Sequence, residues 1–222
     1  MKRIPQRELL DHDEGTPEEI SGSLRDLRRI NHWFGGVQTS EYLLRHGLEK
    51  TGLQSAEVLE VAAGEGYCVC NAARKLREDG RSIGITALDR RASHLNSSDG
   101  MRTVVGDALQ LPFESNSFDF VSSCLFVHHL PPSDVVRFIT EALRVSRHAV
   151  LINDLVRGRV HLGLVYLGLP LFRSRITWHD APASVRQAYT PLELSELIRQ
   201  TPASRYDIAS RYLFRMAATI WK

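Results

Sequence analysis

From residue 57 onward, short apolar runs alternate with helical patterns, and nothing else in the chain narrows its possible folds as much. Strand-like segments fall at 57–61, 83–88, 102–105, 118–123 and 148–154, with helical patterns between several of them at 66–78 and 133–146. The later helix has Ser133 as its expected cap and turns Val135, Phe138, Ile139, Ala142 and Leu143 inward. Strand, helix, strand in repetition requires crossover connections, and these produce a parallel sheet covered by helices on both faces. The final stretch, RYDIASRYLFRMAATIWK, reads as two closing strands.

The chain before residue 57 is helical in pattern. Thr16-Pro17-Glu18-Glu19 supplies a cap, a proline suited to the first helical position and a glutamate able to close a capping box. Ile20, Leu24, Leu27 and Ile30 follow as one apolar stripe. NHWFGGVQTS breaks that helix at Gly35-Gly36, and a second helix is expected over about 39–50. The acidic opening, Glu8, Asp11, Asp13 and Glu14, is expected to be solvated; the full spacing of a calcium loop is missing. Beyond the fifth strand lies an apolar segment, 160–172. TPLE at 190–193 then repeats the capping signal and opens a last helix.

A chain of 222 residues, 43% hydrophobic and 24% charged, can bury a full core within one domain. Its formal charge is +2, with Lys and Arg spread among acids, so the field gives nucleic-acid binding no support. Cys68, Cys70 and Cys124 do not make a disulfide framework and point to a reducing compartment. MKRIPQRELLDHDEG lacks the apolar core of a signal peptide, and no apolar run reaches the roughly 20 residues that span a bilayer. A cytoplasmic protein is expected.

In an open parallel sheet, ligands bind outside the carboxyl ends of the strands, where the strand order reverses. VLEVAAGEGY ends the first strand in a small-residue turn, and Gly64 and Gly66 allow close backbone approach. SIGITALDR ends the second strand in Asp89, about 23 residues past Gly66, where a carboxylate could accept two ribose hydroxyls. VVGDALQLPF places Asp107 just past the third, available to a base. GEGY is followed by no Lys-Ser/Thr, so it is not a triphosphate loop, and Cys68-Val69-Cys70 replaces the remainder of a dinucleotide fingerprint. Cys68 and Cys70 have no second pair to complete a zinc site, so no metal is expected and helical packing is their reading.

The ordered series VLEVAAGEGY, ALDR, VVGDALQLPF, SFDFVSSCLFVHHL resembles the class I S-adenosylmethionine-dependent methyltransferases, and among them the small-molecule branch that includes the quinone-biosynthesis enzymes. The likeness covers roughly residues 55 to 155 and, more loosely, YTPLEL with the closing strands. It implies an α/β, Rossmann-like sheet of seven strands, mostly parallel, with helices on both faces. It also divides the single domain into an N-terminal helical lid (1–52), a cofactor-binding core (53–156), a helical insertion after the fifth strand (157–189), and a final helix with closing strands (190–222). The implied cofactor is S-adenosyl-L-methionine, leaving as S-adenosyl-L-homocysteine. Glu60, Gly64 and Gly66 would hold its methionine end, Asp89 the ribose, Arg90 the adenine flank, Asp107 and the Ala108 amide the adenine edge, and the Cys124 carbonyl the ammonium. Ala62 stands where the family more often has glycine; since alanine largely forbids positive φ, ordinary backbone angles are expected there.

Methyl transfer needs alignment and exclusion of water, and a phenolic acceptor also needs a base. His128 and His129, just after the fourth strand, are the candidates, with His32 and His179 behind them; helix capping or loop packing is the plain alternative. Trp33 and Phe34 beside the diglycine could form a lid, or simply a packed helix hairpin. Segment 160–172, flanked by Arg157, Arg159, Arg173 and Arg175, could wall a hydrophobic pocket, make a homodimer contact, rest on a lipid surface, or pack as a cap helix. Tyr166, Arg186 and Tyr189 join Trp33, Phe34 and His128 as acceptor-pocket candidates. The expected acceptor is a small hydrophobic molecule such as a hydroxylated aromatic, quinone precursor or polyketide, methylated on oxygen, with carbon the near alternative. A macromolecular acceptor fits less well, because no Asn/Asp-Pro-Pro-Tyr/Phe motif follows the fourth strand. A binding protein without catalysis is the third reading.

Overall fold

The computed structural model describes residues 1–95 and 100–222. Two helices, α1 (Pro17–Trp33) and α2 (Gly36–Thr51), precede the sheet. Then β1 (Ser55–Val61), α3 (Tyr67–Glu78), β2 (Ser82–Asp89), β3 (Arg102–Val105), β4 (Phe118–Cys124), α4 (Pro132–Val145) and β5 (Ser146–Leu155) build the alternating core. Helices α5 (Arg159–Gly168), α6 (Arg175–Gln187) and α7 (Pro191–Ile198) follow, and β6 (Arg205–Arg211) and β7 (Arg215–Trp221) close the chain. The strand order is β3-β2-β1-β4-β5-β7-β6. All neighbours are parallel except β7, which runs antiparallel to both β5 and β6. This is the seven-stranded Rossmann-like architecture expected from the sequence.

Each face of the sheet carries its own core. On one, α4 and α7 press Phe138, Ile139, Leu143, Leu194 and Ile198 onto Leu59, Val61, Val121 and Ile152. On the other, α2 and α3 pack Leu43, Leu44, Leu48, Val69 and Leu76 onto Val58, Phe120 and Leu151. Gly47 of α2 lets that helix lie on the Phe120 ring, since a Cβ there would sit 3.0 Å from two ring carbons. Both expected capping boxes form, with Thr16 and Thr190 accepting from the amides of Glu19 and Glu193 at 3.3 Å. Such caps each stabilise a helix by about 1 kcal/mol.

Two expectations are corrected. Ser133 does not cap α4; Pro131 holds that position, and Pro132 starts the helix one residue earlier. Within the expected helical insertion, HDAPASVRQ forms most of α6, although Pro182 lies inside it. Packing of Ile176, Ala183 and Val185, all at most 1% exposed, outweighs the local penalty of the proline. The acidic opening is not uniformly solvated. Glu8 is 8% exposed, and the first residues cross the carboxyl edge of the sheet as a strap. Asp180 accepts the Leu9 and Leu10 amides at 2.9 and 3.0 Å, and the Arg3 guanidinium donates to the carbonyls of Gln187, His128 and Leu130.

Phe138, fully buried and in edge contact with Phe126, is the centre of the α4 core. Phe138→Ala should cost about 3–5 kcal/mol in urea unfolding with little change in m. Thr16→Ala, which removes only a cap, should cost about 1 kcal/mol.

Candidate active site

The reversal of strand order between β1 and β4 opens a crevice at the carboxyl edge, since α3 leaves to one face and α4 to the other. A cavity of about 1330 Å³ lies there. Its floor is the set of strand ends. Glu60, Ala62, Gly64, Gly66, Asp89, Arg90, Asp107, Ala108 and Cys124 all line it, which brings together every residue assigned to the cofactor by resemblance. The Asp89 carboxylate accepts the Gly64 amide at 2.9 Å and the Arg91 amide at 3.0 Å, joining the end of β2 to the glycine turn. Asp107 accepts the Leu109 amide at 2.9 Å and so shapes the turn after β3.

The glycine turn differs from expectation at one position. Ala62 has φ +52°, in the left-handed region, not ordinary backbone angles. The physical reason is continuity: the Ala63 amide donates to the Leu88 carbonyl, and Gly64 is tied to Asp89, so the chain must turn sharply straight after β1. Gly64 and Gly66 also have positive φ, at +51° and +65°. A side chain at Gly66 would meet the Met101 sulfur at 2.9 Å, whereas nothing stands near the Cβ direction of Gly64.

Glu60, at the end of β1, is 2% exposed, and its Oε2 has no hydrogen-bond partner among the described residues. Burial pushes its pKa up to about 7, against the smaller opposing effect of Ser122. An acid held in this state lacks a cation, and it faces the cavity. Arg215, at the start of β7, is the complementary case: a guanidinium 1% exposed that donates to neutral acceptors, Asn31 Oδ1 at 2.7 Å, Asn153 Oδ1 at 3.2 Å and the Phe34 carbonyl at 3.2 Å. Because β7 is antiparallel to β5, its first residue lies at the same edge as the ends of the parallel strands.

Over this floor lies α1, whose stripe faces the cavity through Leu24, Leu27, Ile30 and, beyond the helix, Phe34. The Arg28 guanidinium clasps the Glu65 carboxylate of the glycine turn through two bonds of 2.6 Å. The diglycine serves close packing: Gly35 has φ +78°, and a Cβ on it would strike the Tyr212 carbonyl. Segment 160–172 supplies the apolar wall with Leu164, Val165, Leu167, Leu169, Leu171 and Phe172.

Of the acceptor-pocket candidates, Phe34 and His128 line the cavity. Four others do not. Trp33 points outward and is 54% exposed; Tyr166 and Arg186 bond each other at 2.6 Å on the surface; Tyr189 is buried and donates to the Leu130 carbonyl at 2.7 Å. His32 and His179 lie outside the lining as well. Among the four flanking arginines, Arg157 is buried and donates to the Ala188 carbonyl at 2.6 Å, so it is no surface rim.

His128 and His129 sit on a short helical turn after β4, and both reach the cavity. His128 is 2% exposed; its Nδ1 donates to Asp154 Oδ1 at 2.6 Å, and its amide donates to Asp154 Oδ2 at 3.0 Å. Burial disfavours the imidazolium, but the charges of Asp154 and Glu8 outweigh it and push the pKa up to about 10. His129 Nδ1 pairs with Asp11 Oδ2 at 2.9 Å. Glu8, Asp154 and Arg215 escaped sequence reasoning. Only the antiparallel geometry of the last strand could have pointed to Arg215.

The chain has the class I methyltransferase fold and resembles the quinone-biosynthesis methyltransferases. Residues 59–152 match the family model of the methyltransferase domain. The ubiquinone/menaquinone biosynthesis C-methyltransferase UbiE of Rickettsia felis is 30% identical over 103 residues, covering 42% of this chain and 41% of that enzyme. Its counterpart from Rhizobium rhizogenes is 26% identical over 178 residues, 70% of this chain and 67% of the relative. This chain therefore spans about two fifths of the first relative's length. Among solved structures, the plantazolicin methyltransferase BpumL, in complex with a monoazolic desmethylPZN analog and SAH, superposes with a TM-score of 0.71 at 12% identity, over 96% of this chain and 93% of that one. No helix among the described residues is long and apolar enough to cross a membrane.

Left-handed angles at Ala62 carry a definite consequence. Ala62→Gly should raise stability by about 1 kcal/mol in urea unfolding, and Ala62→Val, β-branched in the same conformation, should lower it by at least as much.

Proposed function

We propose that this protein transfers a methyl group from S-adenosylmethionine to a small hydrophobic acceptor, a hydroxylated aromatic or quinone precursor. The observation that carries the reading is the unpartnered Oε2 of Glu60, which lines one cavity together with Asp89 and Asp107 at the edge of the sheet. The residues fit the cofactor: Glu60 offers its unpartnered oxygen to an ammonium, Asp89 its carboxylate to ribose hydroxyls, and Asp107 with Ala108 their polar groups to a base. Arg215 is a buried guanidinium facing the same hollow, and it suits the carboxylate of an amino acid. When bound, S-adenosylmethionine supplies an electrophilic methyl group together with its own leaving group. The chain's task is then to orient the acceptor and exclude water, and α1, α5 and the strap are placed for that.

The apolar wall of segment 160–172 and the stripe of α1 favour a greasy acceptor over a nucleic acid or peptide. As for the atom methylated, the relatives' description as C-methyltransferases favours ring carbon over the oxygen expected from the residues alone. Both start from the deprotonated acceptor hydroxyl and differ in which atom, ring carbon or oxygen, the pocket holds in line with the methyl group. O-methylation is the second reading.

Calorimetry with S-adenosylhomocysteine should show binding that Asp89→Ala largely removes. Labelled cofactor offered with quinols and alkylated phenols, against tRNA and peptide controls, should place label on the small molecules, and NMR of the product separates carbon from oxygen. Label in RNA or peptide alone would overturn the proposal. The pH dependence follows from Glu60, whose carboxyl must ionise to pair with an ammonium but titrates at about 7 in the folded chain. Affinity for S-adenosylhomocysteine should rise as pH rises through that value, and Glu60→Gln should abolish the rise. By linkage, the neutral carboxyl stabilises the fold at low pH, an advantage fully present below about 4.5 and lost as pH rises through 7.

A further inference from the structure

Glu8, His128 and His129 converge where the strap crosses the turn after β4, and each can aim one ligand atom so that the three lie within 4.8 Å of one another. His128 Nε2 is buried and has no hydrogen-bond partner among the described residues; the nearest acid atom, Glu8 Oε1, stands 3.7 Å away, beyond hydrogen-bond reach. A polar atom so placed is costly unless something else occupies the gap. His129 Nδ1 lies 4.0 Å from the same Glu8 oxygen, and the two imidazole centroids are 4.1 Å apart.

We propose that Glu8, His128 and His129 bind a divalent transition-metal ion of the zinc or cobalt type at the mouth of the cavity. Two imidazoles and one carboxylate form a donor set used at catalytic zinc centres, where a fourth position stays open. All three side chains line the cavity, so the open position faces it. The surrounding contacts have the form that metal-binding histidines require. Asp154 accepts from His128 Nδ1 at 2.6 Å, which fixes the ring and aims Nε2 at the site. Ser184 Oγ and Gln187 Nε2 both donate to Glu8 Oε1 at 2.6 Å and fix that carboxylate in turn. Asp11, 2.9 Å from His129 Nδ1, brings a second negative charge to the rim and yields its contact when the ion binds. The metal takes the place of the imidazole proton on Nε2 and replaces its positive charge, so the buried acids keep a cation between them. Acceptor hydroxyls would meet the ion at the open position, where a Lewis acid lowers their pKa; that role rests on the methyl-transfer reading, whereas the site itself does not.

The test reads metal binding directly. Tag-free protein, stripped with chelator, is titrated with Co²⁺ and followed by equilibrium dialysis and visible absorption. One ion per chain with tetrahedral-type d–d bands is expected. Glu8→Gln and His129→Gln should each weaken binding at least about tenfold, and Asp154→Asn, which touches no ion, by about 10–100-fold. Circular dichroism and melting confirm that each variant is folded; Glu8→Gln, on the peripheral strap and nearly isosteric, keeps the test readable should Asp154→Asn unfold. No stoichiometric binding by the native chain at millimolar Co²⁺, or equal binding by folded Glu8→Gln and His129→Gln, would overturn the site. Either result leaves S-adenosylhomocysteine binding and methyl transfer to be judged on their own measurements.

Discussion

Parallel strands buried on both faces must send their connections away from a single edge, and here two neighbouring strands send them to opposite sides. The chain leaves β1 toward α3 and β4 toward α4, so no crossover can cover the gap between the two strand ends. Backbone amides, the acids that end β1 and β2, and the turn after β4 are exposed to one hollow as a result. Everything chemical in the molecule is arranged around that gap: the sheet supplies the floor, while α1, α5 and the strap supply the roof.

One tie from roof to floor is a cation without an acid. Arg215 joins Asn31 and Phe34 of the lid to Asn153 of β5, and Asn153 in turn donates to the Gly36 carbonyl and the Ser40 hydroxyl of α2. Removing such a group would leave several buried acceptors unpaired at once. Backbone strain gathers at the same edge. Ala62, Leu125 and Phe214, none of them glycine, all have positive φ, and all line the cavity. Such angles cost of order 1–3 kcal/mol each and persist only where the surrounding structure over-determines them.

The alternating core was legible from residue 57 onward because buried parallel strands and amphipathic crossovers each impose a local period. The capping boxes at Thr16 and Thr190 were legible because they are wholly local. What escaped depends on residues distant in the chain. Glu8 looks like one of several surface acids until residues 128 and 184–187 are brought beside it. Arg215 looks like an edge-strand charge until the antiparallel turn carries it to the carboxyl edge. Ala62 obeys alanine's usual preference in sequence but not in the fold, where bonds to β2 dictate the turn.

The strap leads the chain, yet its partners arrive late. Arg3, Glu8, Leu9 and Leu10 bond residues 180–187, partners 170 or more positions further along the chain. Contacts of such sequence separation form after local ones, because long-range closure costs more chain entropy. The sheet's own pairings span shorter separations, so shutting the roof costs the chain more closure entropy than building its floor.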